Sequence, residues 1–345
     1  MVGLVRVAAY LPGADRPGPA RAAADEDLFT LAATALERVL PDPPPSGAPI
    51  SVELVGDFDP ALDWTLPVVL GTPVSLQREA GGPGELCRAL ERAEQAGGPA
   101  HLVVLAELPS RRSVPTAVAN AEDGAVAFLF ESGGTAISGR LPPPAGGTSS
   151  GIPEARAIHR ALRETVPSAR WIGDWEPGPV PPVDAGTPPV ETRFAISEGA
   201  YVSRPRYLEN LPSRWRFEAE ECPSCGTTTF PARGRCRGCG SREGLRRRRL
   251  PRDDALVVAA TVIGPGGQPT EFDPQVTAQG PYGVVLAELA PGQRVTLQVT
   301  DAEPGRVRIG DRVDTRLRRL YATEGEWRYG RKAVPRPAES RRRPS

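Results

Sequence analysis

Four cysteines fall in one short run: Cys222-Pro-Ser-Cys225 and, ten residues on, Cys236-Arg-Gly-Cys239, with Gly226 and Gly240 following the second cysteine of each pair. Two cysteines separated by two residues can grip one edge of a metal ion from a tight turn. Two such pairs complete a tetrahedral S4 shell for zinc. The same spacing also admits two disulfides or free thiols. Read as a metal site, the run predicts a small ribbon held together by zinc. It names no function by itself.

The 345 residues leave room for two or three domains. Lys plus Arg and Asp plus Glu number 42 each, so no global field calls for nucleic acid or membrane. The chain has 37 Gly and 40 Pro, which implies many turns and linkers rather than long helices. No stretch approaches the roughly 20 apolar residues of a membrane span. Met1–Arg6 has no basic region leading into a long apolar run, so no signal peptide is expected. Zinc spacing and an unpaired Cys87 suit a reducing, cytoplasmic location.

Residues 1–140 alternate between strand and helix patterns. Leu4–Tyr10, Ser51–Val55, Leu66–Leu70, His101–Ala106 and Ala125–Phe130 read as strands; 28–39 and Glu85–Glu94 read as helices. That alternation predicts an α/β layer with a parallel or mixed sheet. Residues 141–192 are dense in Pro and Gly and read as a linker with one helix, Pro153–Glu164. Residues 193–249 carry a short helix and the ribbon. Residues 250–334 carry short β runs, Leu256–Ile263, Gly283–Leu289, Arg294–Val299, Arg306–Ile309 and Arg312–Tyr321, and five such strands fit a small barrel of the OB type. The tail, 335–345, is polar and expected to be disordered.

With ribbon and barrel in sequence, the C-terminal part resembles the acyl-CoA-associated zinc-ribbon/OB-fold family. The resemblance rests on Arg206-Tyr207-Leu208, Cys222-Pro-Ser-Cys225-Gly226, Phe230-Pro231-Ala-Arg233, Cys236-Arg-Gly-Cys239-Gly240, Pro281-Tyr282-Gly283, Glu288-Leu289, Gly292, Ile309-Gly310-Asp311 and Tyr329-Gly330. It implies an accessory subunit for a thiolase-like, ketosynthase-like or hydroxymethylglutaryl-CoA-synthase-like partner, with the barrel helping to form the path of a CoA thioester. Residues 5–12, 25–40 and 84–130 are similar to the first half of a thiolase-like fold. In that family a cysteine nucleophile sits on a turn at a helix N-terminus, where the dipole and backbone N–H groups favour the thiolate. The corresponding position here is Ala80, in Glu79-Ala80-Gly81-Gly82-Pro83-Gly84. The resemblance therefore implies a degenerate, non-catalytic copy that keeps a docking surface and works on acyl-CoA or acyl-carrier thioesters.

Two alternatives stay open. Cys87 with His101 or His159 could form an acyltransferase, although Cys87 falls inside a helix beside Leu86 and Ala89, which reads as a packed thiol. Arg233, Arg235, Arg237, Arg242 and Arg246–Arg249 could hold the phosphates of CoA, could bind single-stranded nucleic acid, or could form a solvated face paired with Glu218, Glu220, Glu221, Asp253 and Asp254. Arg233, Arg235 and Tyr282 are the candidate substrate contacts, and no catalytic residue is assigned.

Overall fold

The computed structural model describes residues 2–10, 25–40, 49–56, 62–79, 84–96, 100–107, 124–137, 139–142, 152–172, 204–323 and 326–336. The chain divides into two units, Met1–Val190 and Glu191–Ser345.

Unit 1 runs β1 (Val2–Tyr10), α1 (Leu28–Val39), β2 (Ile50–Val55), α2 (Leu62–Leu70), β3 (Val74–Glu79), α3 (Glu85–Gln95), β4 (Ala100–Glu107), β5 (Gly124–Ser132), α4 (Ile152–Thr165) and β6 (Arg170–Ile172). The strands form one mixed sheet in the order β3-β2-β4-β5-β1-β6. β3, β2 and β4 are mutually parallel, β5 is antiparallel to β4 and β1, and β6 runs parallel to β1. Asp27 starts α1 with a reciprocal cap: its carboxylate accepts from Thr30 N at 2.9 Å, and the Thr30 hydroxyl accepts from Asp27 N at 2.8 Å. Leu86, Leu90 and Ala93 of α3 and Ala155, Ile158 and Leu162 of α4 pack into one cluster with Val103, Val126 and Phe128 of the sheet. Because side chains alternate along a strand, the two helices share one sheet face.

Two expectations for unit 1 change, and one strand is added. Leu66–Leu70 is the end of helix α2, not a strand. Leu62, Thr65, Leu66, Val69 and Leu70 are buried at helical spacing, and Gly71 N closes on Pro67 O at 2.8 Å. β3 follows it and had no strong apolar signal, because as an edge strand it is only half-buried. The segment read as a linker carries α4 and β6, whose Ile158, Leu162 and Val166 are fully buried, so residues 152–172 are part of the core of unit 1.

Unit 2 contains α5 (Arg204–Trp215), then β7 (Glu218–Glu221), β8 (Thr228–Thr229) and β9 (Arg246–Arg249), which make a three-stranded sheet in the order β8-β7-β9. A five-stranded antiparallel sheet follows, β10 (Ala255–Ile263), β11 (Tyr282–Ala290), β12 (Gln293–Gln298), β13 (Arg312–Thr323) and β14 (Glu326–Pro335), in the order β12-β11-β10-β13-β14. A short helix α6 (Asp273–Gln279) lies between β10 and β11. The two ends of this sheet meet just beyond β12. Val299 bridges Ala333 in parallel, and Thr300 N donates to Ala333 O at 2.9 Å. Gly283 permits the approach, since a Cβ there would lie 3.1 Å from Val299 Cβ.

Arg306–Ile309 is not one of the five strands; it lies in the connection from β12 to β13, and the fifth strand is β14. β14 inverts the usual pattern. Arg328, Arg331 and Lys332 are buried while Trp327 and Tyr329 are half-buried. The guanidinium groups of Arg328 and Arg331 stack over Tyr207 at 4.9 Å and Phe217 at 5.4 Å. The tail beyond Arg336 lies outside the described residues.

If α4 is a structural part of unit 1, Leu162→Ala should lower the stability of that unit by about 2–5 kcal/mol in denaturant unfolding. A linker residue would leave the midpoint unchanged.

Candidate functional site

The two knuckles are copies of one backbone design. Cys222 N donates to Thr227 O at 3.0 Å and Gly226 N to Cys222 O at 2.9 Å; likewise Cys236 N donates to Ser241 O at 2.8 Å and Gly240 N to Cys236 O at 3.1 Å. Gly226 and Gly240 sit at φ +70° and +77°, which only glycine adopts freely, and a side chain at Gly240 would also press on the Arg235 guanidinium at 3.2 Å. These turns aim all four sulfurs inward. Every Sγ lies within 4.8 Å of the others, with Cys222–Cys239 at 3.6 Å and Cys225–Cys236 at 3.5 Å. A tetrahedral zinc with Zn–S near 2.3 Å requires S···S separations of about 3.8 Å, so the four cysteines fit zinc. None is in a disulfide.

The strands of the ribbon are held to one another by charge as well as by metal. Glu218 accepts from Arg216 Nε at 2.6 Å and from Arg247 at 3.1 Å. Burial alone would raise its pKa, but the Arg216 hydrogen bond and the charges of Arg216, Arg247 and Arg249 hold it below the usual carboxylate range. β9 lies against β7 with Arg246 opposite Glu221 and Arg249 opposite Glu218. Three of the four β9 arginines thus have acidic partners, as Arg248 also reaches Glu221 at 3.6 Å. Arg233, Arg235, Arg237 and Arg242 are exposed and carry no ion pair among the described residues.

The candidate substrate contacts do not form one site. Arg237 reaches within 3.9 Å of a Cβ placed on Gly292, so the ribbon arginines adjoin the far end of β11. Tyr282 begins that strand, about 25 Å away at the usual rise per residue. There it packs near Phe272, which also contacts Tyr321.

In unit 1, Ala80 and the Gly-rich turn after it lie outside the described residues. The helix start that follows is described. Glu154, in the first turn of α4, is buried and accepts from Gly84 N, the cap of α3, at 3.0 Å. One carboxylate therefore serves the positive ends of two helices. Cys87 lies beside it, its Sγ 3.8 Å from Pro142 O. Burial, then the neighbouring Glu154 charge, push the Cys87 thiol up to about 12. Neither histidine is among its hydrogen-bond partners. His159 is buried edge-on to Trp171 at 5.0 Å, and His101 pairs with Phe130 in the sheet. Sequence reasoning placed Glu154 at the start of its helix but not against Gly84, which is 70 residues away.

Residues 214–246 match the ChsH2 rubredoxin-like zinc ribbon domain. A DUF35 domain-containing scaffold protein of Methanothermobacter thermautotrophicus is 30% identical over 133 residues, 38% of this chain and 95% of that protein. The chain belongs to the DUF35 domain family. A second DUF35 domain-containing scaffold protein, from Methanocaldococcus jannaschii, is 28% identical over 132 residues, 38% of this chain and 89% of that protein. Among solved structures, the Ltp2-ChsH2(DUF35) aldolase aligns at TM-score 0.29 and 22% identity over 41% of this chain and 98% of that one. PksG, an HMG-CoA synthase from Bacillus, aligns at TM-score 0.32 and 14% identity over 49% and 55%. These scores are too low to bear on the fold. The zinc-ribbon match spans the four-cysteine centre, and both support a structural zinc with four thiolate ligands.

Two outcomes follow for the cysteines. Purified chain should carry about one zinc, and Cys222→Ser should release it; folded protein free of metal would overturn the assignment. At pH 8 a thiol with pKa near 12 is thiolate in only about one molecule in 10⁴, so iodoacetamide should leave Cys87 unlabelled until the chain is unfolded, as read by peptide mass mapping.

Proposed function

We propose that this chain is a non-catalytic accessory subunit of a thiolase-like complex acting on acyl-CoA or acyl-carrier thioesters. The observation that carries the reading is Glu154 on Gly84 N. In a condensing enzyme the N-terminus of such a helix stabilises a thiolate and a developing oxyanion. Here a carboxylate of the chain itself takes that donor, and the nearby thiol is held protonated. The names of the two relatives, scaffold proteins, agree with a role without chemistry.

Unit 1 is then a thiolase-like half that has kept its docking edge. Among the described residues β3 borders the sheet and pairs with β2 alone, and Trp64 of α2 is exposed nearby at 43%. Ile50 N bonds Pro73 O and Gly56 N bonds Glu79 O, so the odd-numbered residues of β3 face β2 and the even-numbered ones present their backbone groups outward. A strand of the partner subunit would continue the sheet there. In unit 2, the strand circuit closed by the parallel Val299–Ala333 bridge supports an OB-fold, with its helix placed after the first strand instead of the third. Arg233 and Arg235, without acidic partners among the described residues, would meet CoA phosphates, and Tyr282 would touch a different part of the thioester.

The reading is tested by co-expression with thiolase-like proteins of the same genome. A stable hetero-oligomer is expected, and Arg78→Pro, which removes an outward N–H of β3 without a bond to β2, should dissolve it. The isolated chain should form no covalent acyl-enzyme when incubated with labelled acetyl-CoA; an adduct on Cys87 would overturn the proposal.

A further inference from the structure

The first strand of the five-stranded sheet has an unguarded edge. β10, Ala-Leu-Val-Val-Ala-Ala-Thr-Val-Ile over Ala255–Ile263, contains no charge, no proline and no glycine. On one side it pairs with β11 from Leu256 to Ile263. On the other, its pairing with β13 covers only Ala255 and Leu256, and the last backbone bonds are at Val257, to Asp311 O and from Gly310 N, both 2.9 Å. Beyond that point no described backbone group bonds this edge. Ala259, Ala260, Thr261 and Val262 are all exposed, Val262 by 44%.

Soluble proteins guard such edges with lysine, proline or a covering loop, because a bare apolar strand templates pairing with another chain. The neighbouring connection offers attraction instead of a guard. It passes Val262 at Gly305, whose Cβ position lies 3.6 Å from Val262 Cγ2, and then presents Arg306, Arg308 and Ile309, all exposed, Ile309 by 70%. Neither arginine has an ion pair among the described residues.

We propose that Ala259–Ile263 is a docking edge that receives an extended strand from an acidic partner chain, with Arg306 and Arg308 meeting its carboxylates and Ile309 covering the junction. Charge selects the occupant. A second copy paired edge to edge about a two-fold axis would bring its own Arg306 and Arg308 against these, a like-charge contact that disfavours self-association. The edge lies on the other unit from β3 and does not depend on the accessory-subunit reading.

The test uses the full chain and two synthetic probes, a Val/Thr strand peptide flanked by glutamates and the same peptide flanked by lysines. The glutamate peptide should bind saturably and slow amide hydrogen exchange at Ala260 and Val262, whose N–H groups point away from β11, while the lysine peptide should not. Arg306→Glu with Arg308→Glu should weaken that binding by about tenfold. Val262→Lys, at an exposed position, should abolish it while zinc content and circular dichroism stay unchanged. The proposal is overturned if neither peptide binds, if both bind equally, if the Ala260 and Val262 amides are already protected in the free chain, or if sedimentation shows self-association that Val262→Lys removes.

Discussion

Four sulfurs converging on one point hold the ribbon of unit 2 together. β7, β8 and β9 comprise four, two and four residues, too few to bury a core of their own. The metal supplies what the core does not, because binding free energy at a structural zinc site is folding free energy. With the knuckles closed, Phe217 and Phe230 meet edge to face, Phe217 enters the barrel core with Ala219 and Leu250, and Glu218 is carried in among Arg216, Arg247 and Arg249. The ribbon is thus closed by metal at its knuckles and by charge between β7 and β9, and it meets the barrel through the apolar Phe217, Ala219 and Leu250.

Unit 1 is organised around a different economy of charge. The N-terminal ends of α3 and α4 converge, and two converging positive ends repel unless an anion lies between them. Glu154 is that anion. It relieves the repulsion, and it adds to the burial that makes the thiol next to it a poor nucleophile.

What could be read from the sequence was local. The cysteine knuckles, their glycines and the strands β10 to β13 are set by residues a few positions apart. The misread elements depend on distant partners or on reversed burial. Leu66–Leu70 has the apolar density of a strand, and only the period starting at Leu62 identifies a helix. Residues 152–172 looked like a linker because Pro and Gly crowd the segment before them, though Ile158 and Leu162 carry a core face. β14 escaped notice because its buried positions hold Arg328, Arg331 and Lys332, and the two arginines are covered by the rings of Tyr207 and Phe217. Glu154 could not be matched with Gly84 at all, since nothing in either neighbourhood names the other.

The link between α5 and β14 has a consequence for how the chain is made. Tyr207 OH accepts from Tyr329 N at 2.9 Å and donates to Tyr329 O at 3.1 Å, and Trp215 Nε1 reaches the same carbonyl at 3.0 Å. The first helix of unit 2 is therefore completed by its last strand, across 122 residues. During synthesis from the N-terminus, α5 emerges long before the strand it needs, with Trp215 and Tyr207 uncovered throughout. Contacts so distant in sequence make for slow folding. The ribbon is different: it lies within one short stretch, so it can close on zinc as soon as Cys239 is free of the ribosome. Metal capture is thus the early, local event, and barrel closure the late, global one.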